Sequence, residues 1–156
     1  DVDATNHQND QAAARLFDAS TLSFVTRHFP DYQGLASLLK VFGGLFTAWK
    51  DPKMGHLERI QLAFRARVFL TGWRTHVTGH RFYSTTTQFL SPFAYDSFLS
   101  LCDALVLLIL VYRDYFPTHP LLPWLHSTEP CERIFAMLRK HRSNFNHSNF
   151  LQFMSK

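Results

Sequence analysis

Apolar residues recur at three- and four-residue spacing through most of this chain, and this periodicity most constrains the fold. Such spacing places the apolar side chains on one face of an α-helix. The strict alternation that is typical of half-buried β-strands is essentially missing from the sequence. The pattern therefore predicts a mainly α protein, a multi-helix bundle in which strands are essentially absent.

The sequence predicts four long helices before its last Pro-rich segment. They run from Asn9 or Asp10 to about Phe29, from Asp31 to about Trp49, from about Gly55 to Thr78, and from Ser91 to about Tyr115. The residues expected to face the core include Leu35, Leu57, Phe64, Val68, Phe93 and Leu101. The pair Gly43-Gly44 costs the second helix about 1 kcal/mol per glycine relative to alanine, so we expect either a kink there or a very close neighbour.

The segment from Phe116 to Lys140 reads FPTHPLLPWLHSTEPCERIFAMLRK. Its prolines prevent a helix at the start, and the hydroxyls and carboxylate that follow are typical of a helix N-terminus, so a helix is predicted from about Glu129 to Arg142. We divide the chain into a helical region, 1–116, and a C-terminal region, 117–156, which pack as one compact unit.

Glu132 lies at the edge of the apolar stripe of this last helix, and Arg139 lies on nearly the same line. A carboxylate held beside a buried face suits a metal ligand or a general base. The alternative is that Glu132 merely pairs with Arg139 or with solvent.

The segment PLLPWLHSTEPCERIFAMLRK resembles the C-terminal catalytic block of cut-and-paste transposases with an RNase H-like core. The similarity is greatest to the fungal Kyakuja–Dileera–Zisupton group, which is related to the P-element and hAT types. In those families a motif E-x-x-F-x-x-x-R opens the last core helix, and its Glu is the final acidic residue of the DDE triad. The matching residues here are Glu132, Phe135 and Arg139. Residues 8–25 also resemble, less specifically, the start of the insertion domain of P-element-like transposases.

The resemblance implies DNA strand cleavage and transfer by two Mg²⁺ or Mn²⁺ ions held by three carboxylates. Glu132 would be the third metal ligand, and Arg139 would orient that carboxylate or neutralise a phosphate. The family's strand-rich block with its two Asp residues is missing from the sequence. We therefore expect a fragment that lacks the N-terminal catalytic half, is inactive alone and holds no metal alone. The implied partners are double-stranded DNA and other copies of the chain.

Residues 53–81 have a net charge of +5, because one lysine and five arginines face a single Glu. Arg59, Arg67 and Arg74 are predicted to lie on one exposed side of the third helix, where they are candidates for contact with DNA phosphates. An ordinary solvated helix face is the alternative. Trp73 falls on the apolar face, which favours the core over a DNA contact.

Two other functions stay open. The chain could be a domesticated or decayed relic that works as an all-α DNA-binding or protein-interaction module. It could also be an unrelated helical bundle with a small-molecule pocket among its aromatic residues, although no polar residues converge to support one.

Several isolated polar residues have two interpretations each. Asp103, inside the most apolar helix, is either a paired structural carboxylate or a functional one. His76 and His80 have the spacing of a metal-binding pair, but no third ligand is near them in sequence. Cys102 and Cys131 are expected to be buried thiols in a reducing compartment, either nuclear or cytoplasmic. The longest apolar run has nine residues, from Ala104 to Tyr112, which predicts that no segment spans a membrane.

Overall fold

The computed structural model describes residues 10–126 together with Glu132, Ile134 and Met137. Its helices are α1 (Asp10–Leu16), α2 (Ala19–His28), α3 (Gln33–Lys50), α4 (His56–Gly79) and α5 (Pro92–Tyr115), followed by a 3₁₀ turn, Pro123–Leu125. The residues that the structure describes contain no strand. The predicted mainly α class is therefore confirmed. The chain divides into an N-terminal unit that ends at Leu121 and a C-terminal unit that begins at Leu122, five residues after the predicted boundary.

The first predicted helix is interrupted, so the expectation of one continuous helix from residue 9 or 10 to 29 is wrong. α1 ends at Leu16 and α2 begins at Ala19. Asp18 between them caps α2, because its Oδ1 accepts a hydrogen bond from the Ser20 backbone N–H at 2.7 Å. Hydrogen bonding by the Ser20 side chain and backbone holds the pKa of Asp18 below its usual value. A short acidic side chain that bonds to the backbone ahead of it offers the chain an alternative to an uninterrupted helix.

The other three predicted helices agree with α3, α4 and α5 to within two residues at each end. Ser91 caps α5, since its Oγ accepts a hydrogen bond from the Ala94 N–H at 3.2 Å. Pro92 occupies the first helical position, where a missing N–H costs nothing.

The core of the N-terminal unit lies where α4 packs against α3 on one side and α5 on the other. Small residues on α4 let α3 and α5 approach closely, and two of them, Ala63 and Ala66, have no exposed surface. The fully or largely buried side chains around them are Phe42, Leu45, Leu70, Cys102, Leu105 and Ile109.

Six apolar residues that were expected to face the core are exposed: Leu35, Leu57, Phe64, Val68, Phe93 and Leu101. That part of the prediction is wrong. The buried face of α4 is narrower than its apolar pattern, since α3 and α5 cover its alanine side and leave Leu57, Phe64 and Val68 outside.

The glycine pair in α3 is explained by close neighbours. A Cβ at Gly43 would lie 2.9 Å from the backbone oxygen of Phe17, and a Cβ at Gly44 would lie 3.1 Å from Cδ2 of Leu62. α3 continues through both positions. The sequence left open either a kink or a close neighbour at this glycine pair, and the structure shows the close neighbour.

Among the helices of the described residues, α5 is the one long and apolar enough to cross a membrane. An 18-residue window within it has a mean hydropathy of 1.9. The apolar stretch is thus longer than the nine residues counted from the sequence, because it continues past single charged residues. A mostly buried core helix of a soluble protein meets the same two criteria, but only 22% of this window is buried, with Cys102, Leu105 and Ile109 in the core. This finding alone does not assign α5 to a membrane.

The expected buried thiol is confirmed for Cys102, which is 1% exposed and forms no disulfide. Burial, and secondarily the charge of Asp103, raise the pKa of the Cys102 thiol from 9.0 to about 11. Cys131 lies outside the described residues.

The buried thiol makes a testable contribution to alkaline stability. Between pH 9 and 11 the Cys102 thiol ionises in the unfolded chain but stays protonated in the folded one. The unfolded state then binds fewer protons, so the free energy of unfolding should fall as the pH rises through this window. We expect the fall to be shallower in a Cys102→Ala variant, measured by urea denaturation at each pH. Curves of equal slope for Cys102→Ala and wild type would refute the assignment.

Candidate nucleic-acid interface

Arg59 is inside the protein, not on an exposed side of α4 as the sequence predicted. Its side chain is 1% exposed, and its guanidinium donates hydrogen bonds to the carbonyl oxygen of Ala48 and, at 2.5 Å, to that of Asp51. These carbonyls belong to the end of α3, where backbone acceptors have no partner within the helix. Burial lowers the pKa of Arg59, against the opposing charges of Asp51 and Glu58. Arg59 is therefore a structural residue, unavailable to a DNA phosphate.

Arg67 is paired with Asp103 across the α4–α5 contact. The Arg67 Nε lies 2.7 Å from Oδ1 of Asp103, and the two side chains are 42% and 47% exposed. Asp103 is thus a paired carboxylate near the surface rather than a buried one. An exposed pair of this kind contributes about 0.2–1 kcal/mol to stability. The charge of Arg67 is already compensated within the protein.

Arg74 is the member of the predicted stripe that stays exposed. Its Cζ lies 4.6 Å from the centroid of the Tyr95 ring on α5. A guanidinium stacked on a ring keeps its edge N–H groups free to bind an anion. The three arginines that share one line in the sequence therefore have three different roles, and they do not form one DNA-binding stripe.

Six exposed residues at the C-terminal end of α4 and in the loop that follows carry a different set of cations and rings. We call them the basic cap: Arg74, His76, His80, Arg81, Phe82 and Tyr83. Ring contacts connect the last five, whereas Arg74 contacts Tyr95 of α5. All six residues are exposed, Phe82 at 79%.

The rings of the basic cap pack on one another. His80 and Tyr83 are stacked, with centroids 4.2 Å apart and planes at 24°. The His76 ring lies 5.7 Å from His80 and 5.6 Å from Tyr83. The Arg81 Cζ is 5.9 Å from the Phe82 ring. Stacking orders side chains that would otherwise move freely in solvent.

The stretch of sequence that contains the basic cap has no carboxylates. The sequence has no Asp or Glu from residue 59 to residue 95. The loop after Tyr83 adds the hydroxyl groups of Ser84, Thr86 and Thr87 and leads to the N-terminus of α5, the positive end of the helix dipole. The sequence signal that could have located this surface is this carboxylate-free stretch, rather than the helical line of three arginines.

The structure also bears on the predictions for Trp73 and for the pair His76 and His80. Trp73 is half-buried and packs 6.0 Å from Phe69 and 4.8 Å from Phe89, as expected of a core residue. His76 and His80 have no third ligand, since residues 10–126 with Glu132 contain no group of three or more His, Cys, Asp or Glu side chains that could hold a metal. The described residues thus contain no complete ligand set, and the two-metal site that the resemblance implies stays a prediction.

Glu132 has a helical backbone and is exposed, which agrees with the predicted last helix at that position. Ile134, from the predicted apolar stripe of that helix, is 46% exposed. Arg139 lies outside the described residues, so the pairing of Glu132 with Arg139 stays a prediction.

Comparison of the chain with protein-family models, with curated proteins and with solved structures finds no match.

Proposed function

We propose that the basic cap binds the phosphate backbone of double-stranded DNA, as part of a helical module of a transposase-like protein. The observation that supports this proposal is the combination of two exposed arginines and four exposed rings in a stretch without carboxylates. Protein–DNA affinity depends mainly on such cations, and the phosphate contacts fix position without reading sequence.

The two arginines of the basic cap and the N-terminus of α5 would contact the phosphates. The Tyr95 ring holds the guanidinium of Arg74 in place, so little side-chain freedom is lost when its N–H groups bind a phosphate. Arg81, beside Phe82, supplies the second cation. The α5 N-terminus supplies neutral donors.

The transposase setting is a separate part of the proposal and depends on the residue pattern around Glu132, Phe135 and Arg139. In that setting the other carboxylates of the DDE site come from another part of the protein, and the N-terminal unit contributes to the DNA path. The role is exercised inside the cell, in the nucleus or the cytoplasm. A relic module that only binds DNA through the same cap is the alternative.

The test is the affinity of the full chain for a short DNA duplex, measured by fluorescence anisotropy over a series of salt concentrations. We expect binding at about 50 mM salt with a steep salt dependence. An Arg74→Ala/Arg81→Ala double variant should bind at least tenfold more weakly. Its slope of log affinity against log salt should be smaller by about 1.8, since each lost phosphate contact removes about 0.9.

A matched control removes the same charge elsewhere. Lys40 on α3 and Arg65 on α4 are exposed and lie outside the basic cap. A Lys40→Ala/Arg65→Ala variant should keep the wild-type slope. The proposal fails if wild type does not bind at about 50 mM salt, or if the two double variants lose affinity and slope equally.

A further inference from the structure

An apolar groove of 690 Å³ runs between the first turns of α3 and the second half of α4. Its walls are formed by Gly34, Leu35, Ser37 and Leu38 from α3, and by Val68, Phe69, Gly72, Trp73 and His76 from α4. A volume of this size is within the usual range of about 300–1,000 Å³ for small-molecule sites. The groove is distinct from the basic cap except for His76, which lines its edge.

The groove has the chemical composition of a ligand site. Two aromatic side chains, Phe69 and Trp73, and two leucines supply the apolar walls, while Ser37 and His76 are the polar side chains among its lining residues. Sites for small molecules typically combine apolar and aromatic walls with a few placed hydrogen-bonding groups. The sequence alone did not indicate that any polar groups converge on the aromatic residues.

Two glycines keep the groove open. A Cβ built at Gly34 or at Gly72 meets no atom within 4 Å, so neither glycine is required by packing. Gly72 nevertheless costs α4 about 1 kcal/mol relative to alanine. Because both glycines line the groove, a larger side chain at either position would occupy part of its open space.

The short α3 wall of the groove favours a small molecule over a partner helix. Its α4 wall runs from Val68 to His76, which is about 12 Å at the rise of an α-helix. A helix docked in a groove uses anchors over two or more turns, whereas the α3 wall here extends over only about one turn, from Gly34 to Leu38.

We propose that this groove binds an apolar, ring-containing small molecule that bears an acidic or carbonyl oxygen. The ring lies against Phe69 and Trp73, and the oxygen accepts hydrogen bonds from the His76 ring N–H or the Ser37 hydroxyl. The site shares His76 with the basic cap, but the changes that would block it, at Gly34 and Gly72, lie outside the cap.

The test uses the fluorescent probe 8-anilinonaphthalene-1-sulfonate, which has apolar rings and an anionic oxygen group. We expect the full chain to bind one equivalent, with chemical-shift changes in ¹H–¹⁵N spectra concentrated at residues 34–38 and 68–76. Gly72→Leu places a side chain in the groove and should weaken binding at least tenfold. Gly34→Leu should do the same from the opposite wall, which keeps the test valid if one variant folds poorly.

The control is Thr75→Leu, which adds the same side chain to an exposed position of α4 that does not line the groove. It should bind the probe like wild type. The proposal is overturned if folded Gly72→Leu and Gly34→Leu proteins both bind like wild type, or if Thr75→Leu weakens binding equally. Shift changes elsewhere in the chain would also overturn it. Duplex DNA binding by Gly72→Leu should be unchanged, so failure of this proposal is distinguishable from failure of the DNA-binding one.

Discussion

Replacing Arg59 with methionine should lower the free energy of unfolding by about 2–4 kcal/mol. Methionine is similar in length and apolar, but it donates no hydrogen bond. The carbonyl oxygens of Ala48 and Asp51, which now accept from the guanidinium, would lose these bonds at the end of α3. Each buried acceptor without a donor costs about 1–3 kcal/mol. Urea denaturation followed by circular dichroism measures the loss.

Arg65→Met is the matched control for this prediction. Arg65 is on the same helix but is exposed, so its replacement should change the free energy of unfolding by less than about 0.5 kcal/mol. Arg59→Lys should give an intermediate result, because an ammonium keeps the charge but lacks the planar fork that reaches two acceptors. Equal stability of Arg59→Met and wild type would show that the guanidinium does not stabilise the end of α3.

Arg59 illustrates what the sequence could and could not predict. Periodicity and capping residues located α3, α4 and α5 closely, since these signals are local. The role of Arg59 depends on α3, eight and eleven residues earlier in the chain. One local signal was present: Arg59, Ala63, Ala66 and Leu70 share a line on the helix, and all four are buried. The alanine positions, rather than the larger apolar side chains, marked the face that packs.

Dependence on other parts of the chain also explains why some apolar residues were wrongly predicted to face the core. Leu57, Phe64 and Val68 have the spacing of a core face, but which face of α4 is covered depends on where α3 and α5 pack. The break at Asp18 was local and therefore predictable, because Asp is among the preferred helix N-cap residues. The candidate DNA surface could be found from charge, but only its three-dimensional neighbours distinguish the exposed Arg74 from the paired Arg67.

Gly43→Ala should lower the free energy of unfolding by about 1–3 kcal/mol, the usual cost of overpacking. Helix propensity alone predicts the opposite, a gain of about 1 kcal/mol. The added methyl group would lie 2.9 Å from the Phe17 backbone oxygen, which is part of the junction between α1 and α2 and cannot rotate away as a side chain can. The Phe17 ring also packs 6.3 Å from Phe42 and 6.1 Å from Phe46, so moving Phe17 disturbs further contacts.

Two other glycine variants separate the effect of the neighbour from helix propensity. Gly72→Ala meets no atom within 4 Å and should stabilise the protein by about 0.5–1 kcal/mol. Gly44→Ala should be close to neutral, because its contact at 3.1 Å is the flexible end of the Leu62 side chain. The order of stability should therefore be Gly72→Ala, then Gly44→Ala, then Gly43→Ala, measured by thermal and urea denaturation. If Gly43→Ala instead gains as much stability as Gly72→Ala, helix propensity outweighs the contact, and the junction of α1 and α2 does not press against α3 as the structure has it.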